Sequence, residues 1–215
     1  MKNNYKKISI IGMLCAIAYI AVVLCRIPLV LFLHYEPKDV IIVTAGFIYG
    51  PLSSFVISLI VSFIEMITIS VDGIIGFIMN ILSSCSFAVT ASLIYKKKRT
   101  LSGAIWGLIS GVAVLVTVML LWNYIITPLY MKVPRSEVVK LLIPAFLPFN
   151  LIKGVLNSAI TLIIYKPLVK ALRTANLIPS TDKKGKGFSY LGLVLISAVI
   201  IITCVLVVLI LNGTI

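Results

Sequence analysis

The apolar residues of this chain come in blocks of about twenty, which is the length that an α-helix needs to cross the hydrocarbon core of a bilayer. Hydrophobic residues make up 61% of the 215 residues, whereas charged residues make up only 12%. Soluble helices instead show short periodic apolar stripes, and no polar segment of this sequence is long enough to form a soluble domain. The sequence therefore predicts an all-α polytopic membrane protein.

Most of the blocks are unambiguous spans, but one apolar region is too long for a single helix. Clear spans are predicted at 8–25, 73–95, 101–126, 141–165 and 188–212. Region 40–69 is interrupted by Gly50-Pro51, and a proline removes a backbone donor and disfavours helix at the preceding residue. Both a tight turn between two helices and a kink in one tilted helix fit this dipeptide.

The distribution of basic residues decides between these two alternatives. If 40–50 and 51–69 are separate spans, thirteen Lys and Arg lie on the side of the N-terminus, five lie on the other side, and Lys153 lies in the membrane. That distribution satisfies the positive-inside rule. A single span would instead move the KKKR cluster at 96–99 away from the basic N-terminus. The sequence thus predicts six core helices with a cytoplasmic N-terminus.

This topology divides the chain into three parts. Residues 1–173 are predicted to form the six-helix core, 174–187 a basic cytoplasmic linker, and 188–215 an additional C-terminal transmembrane helix. The net charge of +13 follows from the topology and from the anionic lipid at the cytoplasmic face. The charge therefore indicates the lipid bilayer as a partner and does not favour nucleic acid.

The second predicted span is too short to cross the membrane alone. From Lys38 to Gly50 there are thirteen residues, about 20 Å of helix, against a hydrocarbon core of about 30 Å. The preceding external loop, 26–37, is unusually apolar. We expect it to dip into the outer half of the bundle as a lid over a cavity, because irregular backbone at that depth must be buried by protein or line a cavity. The alternative is a lipid anchor on the outer leaflet.

Polar residues also interrupt the sixth span, in the stretch PFNLIKGVLN. Asn150, Lys153 and Asn157 are spaced i, i+3, i+7, so they share one stripe of a helix. A lysine at the centre of a membrane helix costs about 2.5–3.5 kcal/mol and is by default functional. We therefore predict a binding role for Asn150 and Lys153. For Asn157, ligand binding and interhelical hydrogen bonding fit equally well.

The outer end of the fifth span, LLWNYIITPLY, supplies Asn123 and Tyr124. Aromatic residues at this depth are also typical of an interfacial belt, so asparagine is the more informative residue. An amide offers donors and an acceptor, and two asparagines with a lysine suit a neutral, planar, amide-rich ligand better than a bare ion. Aromatic side chains close by can stack on its ring.

Four stretches together resemble the riboflavin-binding S component of energy-coupling factor (ECF) vitamin transporters: FLHYEPKDV at 32–40, GFIYGPLSS at 46–54, WNYIITPLYM at 122–131 and PFNLIKGVLNS at 148–158. The resemblance covers roughly residues 8–172. It implies a six-helix protein of the bacterial cell membrane that captures riboflavin from outside. It also implies that the protein works with a transmembrane coupling subunit and two ATPase subunits.

The same resemblance implies roles for individual residues. The motif asparagines and lysine that hydrogen-bond the flavin match Asn123, Asn150 and Lys153, and the FLHYEPKDV stretch adds Tyr35 and Asp39 to the candidate site. The first external loop is expected to close over the ligand. This sequence departs from the pattern in carrying glutamate at position 36, where aspartate is expected, and in its extra seventh span.

The sequence also indicates that the energy comes from partner subunits. A phosphate-binding loop of the form G-x-x-x-x-G-K-[ST] is absent, so the chain is predicted not to be an enzyme, with riboflavin as its transported ligand and neither a cofactor nor a metal. In the first helix, Gly12 and Ala16 form a small-xxx-small pair that lets another helix approach closely. The resemblance to S components implies that these small residues of the first helix dock on the coupling subunit. An internal packing face is the alternative.

Two rival functions stay open at this point. An intramembrane hydrolase needs a Ser/His pair, paired aspartates or a metal cluster. The sole histidine, His34, lies in an external loop, Glu65 and Asp72 are predicted at the membrane edge, and Ser110 has no histidine to activate it. The second rival is an S component of the same architecture for another vitamin or a queuosine-type precursor. A bound flavin would favour the riboflavin-binding S component over both rivals.

Overall fold

A computed structural model describes residues 2–30, 33–174 and 190–211, and almost all of them are helical. The helices are α1 (Lys2–Leu24), α2 (Lys38–Tyr49), α3 (Pro51–Thr68), α4 (Gly73–Lys97), α5 (Leu101–Ile125), α6 (Thr127–Met131), α7 (Arg135–Leu141), α8 (Leu147–Thr174) and α9 (Tyr190–Leu211). In the described part of the chain, six helical stretches are long and apolar enough to cross a membrane. The prediction of a polytopic helical membrane protein is confirmed.

The Gly50-Pro51 dipeptide separates two helices, as the charge distribution predicted. α2 ends at Tyr49 and α3 begins at Pro51. Gly50 has φ +96°, a backbone conformation that glycine adopts without steric cost. Pro51 occupies the first turn of α3, where its missing N–H costs nothing. With only twelve residues, α2 is too short to span about 30 Å alone.

The segment before α2 is a β-hairpin rather than an irregular loop. β1 (Ile27–Val30) pairs antiparallel with β2 (Leu33–Tyr35), with Ile27 opposite Tyr35. Strand pairing satisfies backbone groups that would otherwise be unpaired at this depth. Leu29, Leu33 and Tyr35 are buried in an apolar cluster with residues of α8 and α9. The lipid-anchor alternative is therefore wrong for these side chains, which face protein.

The sixth span begins earlier and less regularly than predicted. α7 leads into a π-helical segment, Leu142–Phe146, which contains Pro144 and joins α8. Single π turns interrupt the i→i−4 ladder and are frequent at functional sites. α8 then continues beyond the predicted end at 165 and through Pro167 to Thr174.

Close helix contacts fix the neighbouring pair α4 and α5. A Cβ on Gly107 would lie 2.6 Å from the carbonyl oxygen of Ala91, and one on Gly111 would lie 2.7 Å from that of Phe87. Only glycine permits this approach. The fragment GLISG at 107–111, which carries Ser110, is thus a packing motif.

The C-terminal helix α9 packs on α8 and on β1. The predicted linker, 174–187, lies outside the described residues except for Thr174. The buried residues of α9 recur on one face that meets α8: Leu193, Ser197, Cys204 and Val208.

Candidate ligand-binding cavity

A cavity opens at the end of the bundle where α1, α3 and α5 end and α4 and α8 begin, which is the end opposite the N-terminus. Its walls come from the hairpin and from five helices, so residues distant in sequence meet there. The lining residues are Arg26, Leu33, His34, Glu36, Glu65, Ile69, Ser70, Asp72, Ile75, Gly76, Met79, Asn80, Ser83, Met119, Trp122, Asn123, Ile126, Thr127, Tyr130, Phe149, Asn150 and Lys153.

Three sequence-predicted site residues, Asn123, Asn150 and Lys153, line this cavity together. Tyr124 does not. Its side chain is 40% exposed on the outside of α5, and the guanidinium of Arg135 lies 5.0 Å from its ring centroid. One helical position separates it from Asn123, a rotation of about 100° that turns it away from the cavity.

Both cavity asparagines are held by local hydrogen bonds. Asn123 Nδ2 donates to the carbonyl of Met119 at 2.7 Å, and its Oδ1 accepts from Thr127 at 2.9 Å. Asn150 Nδ2 donates to the carbonyl of Phe146, in the π-helical segment, at 2.7 Å. Within the described residues, Asn150 Oδ1 makes no hydrogen bond. It is therefore an oriented, free acceptor in the cavity wall.

Lys153 is buried, and its ammonium has two protein partners. Nζ donates to Ser83 Oγ at 3.1 Å and lies 3.6 Å from Asp39 Oδ2. An ammonium has three donor positions, so the cavity-lining Lys153 retains capacity for a ligand. Its partners on α2 and α4 fix the charge in position rather than letting it reach for solvent.

The remaining predicted residues, Tyr35, Asp39 and Asn157, do not line the cavity but form a buried cluster behind Lys153. Tyr35 donates to Asn157 Oδ1 at 2.9 Å, and Asn157 donates to Asp39 Oδ2 at 3.4 Å. Asp39 also accepts from Ser84 at 2.5 Å. This cluster ties the hairpin to α8, so of the two alternatives for Asn157 the structure places it in hydrogen bonds between elements.

Sequence reasoning missed a second charged group that centres on Lys38. This lysine is fully buried, and its Nζ lies 2.8 Å from Glu36 Oε2 and 2.5 Å from Glu65 Oε2. Arg26 Nε lies 3.5 Å from the other oxygen of Glu36, and Asn80 donates to Glu65 Oε2 at 3.1 Å. The group joins the hairpin, α2, α3 and α4 beneath the lid.

The side chain of Glu65, predicted near the membrane edge, is 2% exposed and lies inside the bundle close to the end of α3. The sequence contained a signal for this buried charge. Glu65 interrupts the apolar run VSFIEMITI, and the default that intramembrane ionisable residues are functional, applied to Lys153, applies to it equally. At the rim, Asp72 accepts a hydrogen bond from Tyr130, and this bond raises the pKa of the phenol.

The small-residue pair of α1 lies on the outside of the bundle. Gly12 and Ala16 are both exposed, and a Cβ on Gly12 would meet nothing within 4 Å. The internal-packing alternative for this pair is therefore wrong. Gly12 and Ala16 therefore form an exposed strip of small residues on α1.

Comparison with known proteins identifies this architecture. Residues 6–165 match the model of a family described as the substrate-specific component of ECF transporters. The chain belongs to this family. Membership confirms the resemblance drawn from the four motifs and groups the chain with transporter components rather than with intramembrane enzymes. The matched region of this S component ends before α9.

Individual relatives align over most of their length. The chain is 29% identical over 182 residues to riboflavin transporter RibU of Staphylococcus aureus (strain TCH60), covering 80% of this chain and 95% of the relative. Identity to riboflavin transporter FmnP of Bacillus subtilis (strain 168) is 27% over 187 residues, covering 80% and 98%. A solved S component of a bacterial ECF transporter is similar with a TM-score of 0.67 at 29% identity, covering 79% of this chain and 99% of that chain.

Proposed function

We propose that this S component binds riboflavin from the external side and delivers it for ATP-driven uptake. The observation that carries the proposal is the convergence of Asn123, Asn150 and Lys153 on one cavity. These residues come from α5 and α8, and they are the ones that the motif resemblance assigns to the flavin. The two relatives named above are riboflavin transporters.

The chemistry of these groups suits the flavin ring. Riboflavin presents ring carbonyls and an N–H on one edge of a neutral, planar system. Lys153 donates to a ring carbonyl, and the free Oδ1 of Asn150 accepts from the ring N–H. Asn123 lies within reach of the same edge once its side chain releases its hydrogen bond to Thr127 or to the carbonyl of Met119. Trp122 and Phe149, which also line the cavity, bury the faces of the ring.

The hairpin acts as the lid over this ligand. Leu33, His34 and Glu36 cover the cavity, and Tyr35 connects the lid to Asn157 and Asp39 behind Lys153. A ligand that engages Lys153 therefore contacts a group that is paired with Asp39, and Asn157 connects this aspartate to Tyr35 of the lid. This linkage makes lid closure responsive to occupancy of the cavity.

The orientation and partners follow from charge and shape. With the basic N-terminus and the KKKR cluster cytoplasmic, the cavity faces outward in the bacterial cell membrane. The energy comes from an ECF transmembrane coupling subunit and two ATPase subunits. Gly12 and Ala16, on the open surface of α1, provide the docking face for the coupling subunit.

Purification and titration test the proposal directly. The full chain, purified from rich medium, is expected to be yellow and to carry riboflavin at about one per chain by absorption, because Asn123, Asn150 and Lys153 meet in one cavity. After ligand removal it should quench the fluorescence of added riboflavin. A colourless protein that quenches none refutes the riboflavin assignment, and tight binding of another vitamin by that protein would favour the rival S component.

Uptake tests the division of labour. Cells that co-express the coupling and ATPase subunits are expected to concentrate riboflavin, and cells with this chain alone are not. Gly12→Phe fills the open surface of α1 without touching the cavity. It should abolish uptake while preserving riboflavin binding, whereas unchanged uptake would place the docking face elsewhere.

A further inference from the structure

The two strands of the hairpin have different surroundings. Leu33 and His34 of β2 line the cavity, whereas no described residue of β1 does. β1 instead packs on α9. Its residue Leu29 is buried in an apolar cluster that also contains Cys204 and Val208 of α9. β2 therefore covers the cavity, and β1 connects β2 to the C-terminal helix.

α9 is fixed to the helix that carries two of the cavity residues. The buried residues of α9 recur along the face that meets α8, and α8 supplies Asn150 and Lys153 to the cavity. In the described part of the chain, α9 itself contributes no residue to the cavity wall. Its contacts with β1 are therefore separate from the ligand, so a bound ligand neither adds to them nor removes them.

A ligand can enter or leave only when the hairpin moves away from the cavity. The two strands form an antiparallel pair, with Ile27 opposite Tyr35 and Pro28 opposite His34. Since the strands are hydrogen-bonded to each other, β2 cannot leave the cavity without displacing β1. This displacement breaks the packing of β1 on α9, and packing of this kind is a main force that holds apolar elements together in a membrane. The contact with α9 thus adds to the barrier for opening.

We propose that α9 is a brace for the lid: by packing on β1 it slows the opening of the hairpin and so sets the rate at which riboflavin enters and leaves the cavity. The inference rests on the proposed function. It concerns a helix beyond residues 6–165, the region that the family model matches. Because the brace stabilises the closed hairpin equally with and without ligand, it slows capture and release by the same factor and leaves the affinity nearly unchanged.

The rates of ligand exchange test the brace. The full chain in detergent is loaded with radiolabelled riboflavin, and release is followed after addition of excess unlabelled riboflavin. Capture is followed by fluorescence quenching after rapid mixing. Val208→Ala shortens a buried side chain of the cluster that α9 shares with the hairpin. We expect both rates to rise about five- to tenfold, while the dissociation constant changes by less than about twofold.

Leu193→Ala is the matched control on the same helix. Leu193 is also buried on the face of α9 that meets α8, but it lies outside the cluster shared with the hairpin. Both rates should stay within about twofold of the wild-type rates in this variant. Equal acceleration by the two variants, or wild-type rates in Val208→Ala, would overturn the brace.

Combination with Leu29→Ala shows whether the effect passes through β1. Val208→Ala should accelerate release less in the Leu29→Ala background than in the wild type, because the two side chains belong to one cluster. Fully additive effects would count against the brace. If Val208→Ala does not fold, Cys204→Ala in the same cluster is measured against the same control and the same expectation.

Two further outcomes separate the brace from the function on which it rests. Faster release without a matching rise in the capture rate would mean that α9 acts on the occupied lid alone, which contradicts the equal action proposed here. A wild-type protein that binds no riboflavin refutes the proposed function itself.

Discussion

α2 and α9 are both apolar helices of this bundle, yet they are stabilised in opposite ways. Nine of the twelve residues of α2 are buried, including Lys38 and Asp39. α9 has 22 residues without a charge and buries mainly the single face that meets α8. The short helix is enclosed on all sides and holds its charges by pairing them. The long helix exposes most of its surface where lipid would be.

This difference shows where specificity lies in the chain. Charges enclosed by a bundle are tolerated only with partners, and each partner fixes the position of another element. Through such partners α2 aligns the hairpin, α3, α4 and α8 around the cavity. Apolar contacts are less directional, so α9 constrains its neighbours less.

Removal of the buried charge at Lys38 should have the largest effect. Lys38→Met leaves Glu36 and Glu65 without the ammonium that both contact. Breaking a buried ion pair in this way costs about 3–5 kcal/mol of folding free energy. Thermal unfolding in detergent should show a large fall in melting temperature. Lys140→Met, at an exposed Lys140–Glu137 pair, is the control and should leave it unchanged; equal melting temperatures would mean that α2 is not held by charge.

Truncation of the Lys153 side chain should come next and should act on ligand affinity. A hydrogen bond from a charged group is worth about 1.5–3 kcal/mol, so Lys153→Ala should weaken riboflavin binding roughly ten- to a hundredfold. Fluorescence titration measures the change, with Lys140→Ala as control. Asp39 keeps Ser84 and Asn157 as partners in the variant. Unchanged affinity would remove Lys153 from the site.

A matched pair of glycine substitutions compares the packing of the two helices. A Cβ at Gly46 in α2 would overlap the hydroxyls of Ser54 and Ser92, whereas one at Gly192 in α9 would meet nothing within 4 Å. Gly46→Ala should therefore destabilise the protein by about 1–3 kcal/mol. Gly192→Ala should be neutral or stabilising by up to about 1 kcal/mol, since alanine favours helix. Melting temperatures that shift in the same direction would contradict the contrast.

Removal of α9 should have the smallest effect on binding. We propose that residues 1–173 form the binding unit, because no described residue of α9 lines the cavity. Truncation after Ser180 should keep riboflavin affinity within about threefold, under about 0.7 kcal/mol. Titration of the truncated chain beside Lys153→Ala makes the comparison. A folded truncated protein without binding would instead mean that the contact of α9 with β1 supports the lid.

The length of the apolar blocks and the distribution of charge determined the architecture of this protein from sequence alone. The cost of burying unpaired backbone in lipid makes twenty-residue apolar blocks helical, and the basic residues separated α2 from α3 at Gly50. The motifs also indicated Asn123, Asn150 and Lys153, which line one cavity. These inferences depend on local properties, which a sequence carries in full.

The partners of the buried groups were decided only by the tertiary structure. Glu65 meets Lys38 across 27 positions, and Tyr35 meets Asn157 across 122. Likewise, the hairpin pairing, the outward turn of Tyr124 and the position of Asn157 behind Lys153 depend on how helices rotate and pack. A sequence shows that a buried charge needs a partner, but which residue provides it depends on the packing of distant segments.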